Sequence, residues 1–105
     1  MKIFFDEQDV IDSACVMLAN RYRMRPEDFD VNLRFNREEG FSANAIHQGG
    51  WRSGDQQYYL SEQDLIDGIA VYLADFHQFN PQRLEIDLSF SERDGFGATI
   101  LSGMR

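Results

Sequence analysis

A single cysteine, two prolines, few basic residues and no long apolar run mark this chain of 105 residues, and each scarcity excludes something. Cys15 has no partner for an internal disulfide, so the fold rests on packing and the thiol suits a reducing compartment. The opening MKIFFDEQD holds an apolar run of only three residues, too short for a signal peptide. No segment nears the roughly 20 apolar residues of a membrane span. A cytoplasmic protein with no membrane contact is the expectation. Ten basic residues face eighteen acidic ones, giving a net charge of −8. Residues 1–52 carry −2 and residues 53–105 carry −6. Such a surface repels phosphate backbones, which argues against nucleic acid as a partner. Arg21, Arg23 and Arg25 are a local exception, and their place after a helix end gives them a structural reason.

What the chain does have is apolar content. Hydrophobic residues make up 43% and aromatics 13%, with nine Phe, which is too apolar for a disordered chain. The length fits one domain with its own core.

The chain also repeats itself. Shifted by 55 residues, 6–46 falls on 61–101 without a gap, with 14 identities in 41 positions. Glu7-Gln8-Asp9 matches Glu62-Gln63-Asp64, Pro26 matches Pro81, and Gly40-Phe41 matches Gly95-Phe96. Asp6 and Ser61 stand as N-caps with Asp9 and Asp64 three residues on, a capping box with Asp in place of Glu or Gln. Apolar residues then recur at helical spacing: Val10, Ile11, Ala14, Met17, Leu18 and Tyr22, and Leu65, Ile66, Ile69, Tyr72, Leu73 and Phe76. Strict alternation follows. Phe29, Val31, Leu33 and Phe35 oppose Asp30, Asn32, Arg34 and Asn36, and the second copy repeats this from Leu84 to Ser91. Glu38-Glu39-Gly40 and Arg93-Asp94-Gly95 supply turns, with glycine free to take positive φ. Short strands at Lys2–Phe5 and Gln57–Leu60 complete a β-α-β-β unit written twice.

These patterns predict an α+β fold with copy one at about 2–47, a linker at 48–55 and copy two at about 56–102. Both helices would pack on one face of a largely antiparallel sheet, with a pseudo-twofold axis relating the copies. One small sheet per copy is the weaker alternative, because a chain of about 50 residues is marginal as a separate core.

Candidate sites are few. Asp9 and Asp64 are accounted for as caps, and Asp12 and Asp67 project away from the apolar stripe. With no His or Cys at ligand spacing, no metal site is expected, and no cofactor. Val16 and Val71 are equivalent and lie off the main stripe, so they are candidate interface residues. The linker from His47 to Asp55 has no counterpart elsewhere in the chain. It holds His47, Gly49, Gly50, Trp51 and Arg52, where Trp and Arg are typical contact anchors and the glycines allow close backbone approach. The ordinary alternative is a turn with Trp51 covering the core edge. His77 and Cys15 read as a helix-end residue and a small core filler. No Ser–His–Asp or Cys–His set can be placed on matching elements, so no catalytic residue is assigned.

The opening Glu7-Gln8-Asp9-Val10-Ile11, then Pro26-Glu27, the alternating strand, and Glu39-Gly40-Phe41-Ser42-Ala43 resemble the YxcD-like family of small uncharacterised proteins from spore-forming bacilli. The resemblance implies a cytoplasmic bacterial protein and transfers no activity. The leading expectation is a non-catalytic binding or protein-interaction domain, acting as a homodimer or with another protein. The alternatives are a small-molecule or anion binder or enzyme using the His47–Asp55 loop, and an acidic partner of a basic protein.

Overall fold

A computed structural model describes residues 2–48, 54, 56–77 and 84–102, with backbone alone at 76 and 77. The chain runs β1 (Lys2–Phe5), α1 (Glu7–Tyr22), one 3-10 turn (Pro26–Asp28), β2 (Phe29–Asn36) and β3 (Gly40–His47). It then repeats the order as β4 (Gln56–Ser61), α2 (Glu62–His77), β5 (Leu84–Ser91) and β6 (Gly95–Ser102). The fold is α+β, and β-α-β-β is written twice.

Both helices start as their sequences imply. The Asp9 backbone N–H donates to Asp6 Oδ1 at 2.8 Å, and the Asp6 N–H donates back to Asp9 Oδ2 at 3.0 Å. Ser61 and Asp64 repeat the exchange at 3.1 and 2.9 Å. Asp is therefore long enough to close the box, and its charge also suits the positive end of the helix dipole. Helix α1 stops where Arg23 turns left-handed at φ 57° and the Met24 N–H bonds Ala19 O at 2.9 Å.

The strands form two antiparallel sheets of three, ordered β1-β6-β5 and β2-β3-β4. Neither belongs to one copy. Strand β1 pairs with β6, setting Phe5 opposite Ala98, and β4 pairs with β3, setting Leu60 opposite Ala43. Each copy lends its first strand to the other copy's hairpin. The single sheet expected from the sequence is thus divided, and the copies are laced together instead of forming one sheet each. Alternation fixes which face of a strand is buried but says nothing about its lateral neighbour.

The core follows the same exchange. One cluster gathers Ala14, Leu18, Phe29, Val31, Ala43 and Leu60 together with Leu65 from the start of α2. The other gathers Ile69, Leu73, Ala98 and Ile100 together with Val10 from the start of α1. Leu33 and Leu88 pack against both clusters. The helices approach at their smallest equivalent positions, Ser13 and Gly68, where a Cβ on Gly68 would sit 3.3 Å from Met17 Sδ. Tyr22, expected to continue the apolar stripe, is instead 40% exposed and lies tilted against Tyr58 with ring centroids 4.5 Å apart. Its ring covers part of the edge strand β4 at Tyr58, and the amphipathic character of tyrosine suits such a half-exposed place.

Candidate functional site

The two hairpin ends meet across the pseudo-twofold. Each hairpin turn is clasped by a glutamate from the other copy's helix. The Phe41 N–H donates to Glu62 Oε1 at 3.0 Å, and the Phe96 N–H donates to Glu7 Oε1 at 3.3 Å. Gly40 (φ 79°) and Gly95 (φ 76°) are required by the turn, and any side chain there would also push the glutamate carboxylate off its bond. A Cβ on either would lie 2.5 Å from Glu62 Oε1 or 2.9 Å from Glu7 Oε1.

These clasps bring four phenylalanines together. Phe35 stacks on Phe90 with centroids 5.5 Å apart and ring planes 23° apart. Phe41 packs on Phe35 at 4.8 Å, Phe96 on Phe90 at 4.7 Å, and Phe41 meets Phe96 edge-on at 6.3 Å. Such pairs add about 0.5–1.5 kcal/mol beyond the area they bury. Yet Phe35 and Phe90 remain 40% and 39% exposed. The alternation correctly sets them on the buried side of their strands. It could not show that they stay exposed there, because the side of a strand does not say how much of it other elements cover.

Beside this seam lies a concavity of about 570 Å³. Arg34, Asn36, Glu39, Ser42, Asn44 and Tyr59 supply its polar lining, and Phe90 and Phe96 reach it from the second hairpin. A separate concavity of about 580 Å³ borders Cys15 and includes Asp12, Val16, Glu27 and Asp30. Burial first, then the carboxylates of Asp12 and Asp30, push the Cys15 thiol up to about 11. That is the opposite of what a nucleophile needs. Relative to an ordinary thiol at 9.0, such a group holds about 100-fold less thiolate at neutral pH. Because a thiolate of higher pKa is also more nucleophilic, labelling of the native chain by an aromatic disulfide at pH 8 is expected to be about tenfold or more slower than in denaturant, and to speed up as pH rises towards 11. Native and denatured rates within threefold of each other would contradict this.

The other sequence candidates separate. Gly49, Gly50, Trp51 and Arg52 lie outside the described residues. His47 is half-buried on β3, opposite Phe29 and packed edge-on against its ring at 5.0 Å. Val71 is exposed on α2, whereas Val16 is half-buried. Arg21 reaches Asp64 at 3.9 Å, linking the end of α1 to the start of α2, and Arg25 reaches Asp28 at 3.6 Å. Among the described residues, no group of three His, Cys, Asp or Glu could hold a metal ion, and no helix is long and apolar enough to cross a membrane.

A family described as "Protein of unknown function (DUF2653)" matches over residues 1–54 and again over 55–105. The chain belongs to this family. The two DUF2653 matches divide the chain between the two copies, each taking one β-α-β-β unit. The "Uncharacterized protein YxcD" of Bacillus subtilis (strain 168) is 32% identical over 101 residues, covering 95% of this chain and 93% of that protein. No solved structure matches. Membership in DUF2653 supplies no activity, so function has to be argued from the site.

Proposed function

We propose that the chain is a non-catalytic cytoplasmic binding domain whose contact surface is the aromatic seam, with a second copy of itself as partner. The Phe35–Phe90 stack carries this reading, because two equivalent rings stand well exposed side by side. Exposed apolar groups gathered in one place and rimmed by polar residues are typical of interaction surfaces. Rings related by a twofold also present the same face to each half of an isologous partner. Val71 on α2 offers a second, smaller apolar point, and Val16 adds little because it is half-buried.

Sedimentation velocity from micromolar to millimolar concentration tests the reading. The native chain is expected to associate as concentration rises, and the double variant Phe35→Ser, Phe90→Ser to remain monomeric while still folded. A native chain that is monomeric throughout removes self-association. Association that survives the double variant but is lost in Val71→Asp moves the contact to the helices.

A further inference from the structure

The concavity beside the seam has an ordered wall. On the outward side of the β2-β3-β4 sheet, Arg34 lies opposite Ser42, and Asn44 lies opposite Tyr59. Arg34 and Tyr59 thus occupy the two outer strands, roughly 10 Å apart across the sheet and offset by two residues along it, with Ser42 and Asn44 on the strand between them. Among the described residues, none of these four side chains takes part in a hydrogen bond or an ion pair, and the Tyr59 ring has no ring partner. Tyr59 is 69% exposed.

Two further observations give the wall a direction. Among the described residues Arg34 is a guanidinium without a carboxylate partner, in a chain of net charge −8. The duplication also provides an internal comparison. The positions equivalent to Arg34, Ser42, Asn44 and Tyr59 are Ser89, Gly97, Thr99 and Phe4. The scaffold is written twice, but only one half carries the cation, the amide and the phenol.

The geometry points to this wall as a binding site for a small molecule that joins a planar ring to one carboxylate or sulfonate group. The anionic group meets Arg34, whose planar fork of donors suits it. The middle of the molecule crosses Ser42 and Asn44, which offer donors and acceptors. The ring lies beside Tyr59 and the Phe90–Phe96 wall. The volume of about 570 Å³ is that of a small-ligand site. Glu39 also lines the concavity, and with the net charge it disfavours polyanions. This assignment rests on the chain being a binding domain, and does not require it to self-associate.

The test titrates the whole chain with anilinonaphthalenesulfonate and, in parallel, with uncharged phenylnaphthylamine, following fluorescence and backbone amide shifts. Saturable one-to-one binding of the sulfonate is expected, with shifts centred on Ser42, Asn44 and Tyr59. Arg34→Ala should weaken the sulfonate about tenfold or more and leave the neutral probe unchanged, with Arg34→Lys in between. Tyr59→Ala should weaken both probes. No saturable binding, shifts centred elsewhere, or an Arg34→Ala effect under twofold each overturns the assignment. Sedimentation of Arg34→Ala separates the two readings, because this variant should associate like the native chain. A chain that binds the sulfonate but stays monomeric keeps the ligand site and loses the self-association. Self-association would cover Phe90, so a chain that associates but ignores the sulfonate even at concentrations where it is monomeric does the reverse.

Discussion

A fragment spanning residues 1–54 will be unfolded as a dilute monomer, although it contains a full β-α-β-β unit. In the whole chain, Lys2–Phe5 pairs only with Ala98–Leu101, so the fragment's first strand has no partner. Its hairpin also loses β4, which lies against β3 from Ser42 to His47. The cluster under α1 loses Leu60 and Leu65, both buried. Each loss is worth about 2–5 kcal/mol on the scale of Leu→Ala substitutions. Together they match the roughly 5–15 kcal/mol that holds a small domain together. Circular dichroism should show little helix in 1–54 or in 55–105 alone at micromolar concentration, and recovery of helix on mixing. Helix that grows with the concentration of 1–54 alone would show its first strand filling the place of β4 on another copy. A cooperative melt of 1–54 at a midpoint independent of concentration would refute the lacing of the copies.

The second large effect is expected at Gly97. Here the obstacle is backbone, which cannot rotate out of the way. A Cβ at Gly97 would lie 2.7 Å from the carbonyl oxygen of Phe5 on β1 and 3.4 Å from Ser89 Oγ. Relief requires moving β1 off β6, and only Asp6 separates β1 from α1. Overpacking of a core costs about 1–3 kcal/mol, and a backbone clash lies at the upper end or above it. Gly97→Val is therefore expected to cost about 3 kcal/mol, lowering the melting temperature by about 12–20 °C for a chain of this size. The equivalent position in copy one is Ser42, which already carries a Cβ, so Ser42→Val should change stability by less than about 1 kcal/mol. A fall of under 4 °C for Gly97→Val would show that β1 yields at little cost.

The contrast between Gly97 and Ser42 also shows how far a sequence can be read. Equivalence was legible from the 55-residue shift, but its meaning at each position was not. Alignment pairs Gly97 with Ser42 as two small residues, and only the strand register reveals that one of them lies under a neighbouring carbonyl. Glu7 and Glu62 were legible only as matched residues of the repeat, two positions before the capping Asp9 and Asp64. That they also bind the hairpin turns of the opposite copy, 89 and 21 residues away, depends on a contact that no local pattern encodes. Phe35 and Phe90 read as core residues by alternation but are about 40% exposed, because alternation gives the side of a strand and not how far other elements cover it. Alternation alone puts Arg34 on the wet face, but its lack of a carboxylate partner among the described residues appears only in three dimensions.

Local chemistry by itself determined the α+β class, the duplication, both capping boxes, the helical stripes, the alternating strands and the glycine turns. The duplication follows from laying the chain on itself, and the rest depend on residues within a few positions of one another, where spacing and side-chain type are enough. The tertiary structure alone decided that each copy gives its first strand to the other, that four phenylalanines meet at the axis, and that one outward wall gathers Arg34, Ser42, Asn44 and Tyr59. Those outcomes come from competition among strand partners distant in sequence. Packing and backbone pairing across the whole chain select the winner, and no short segment records it.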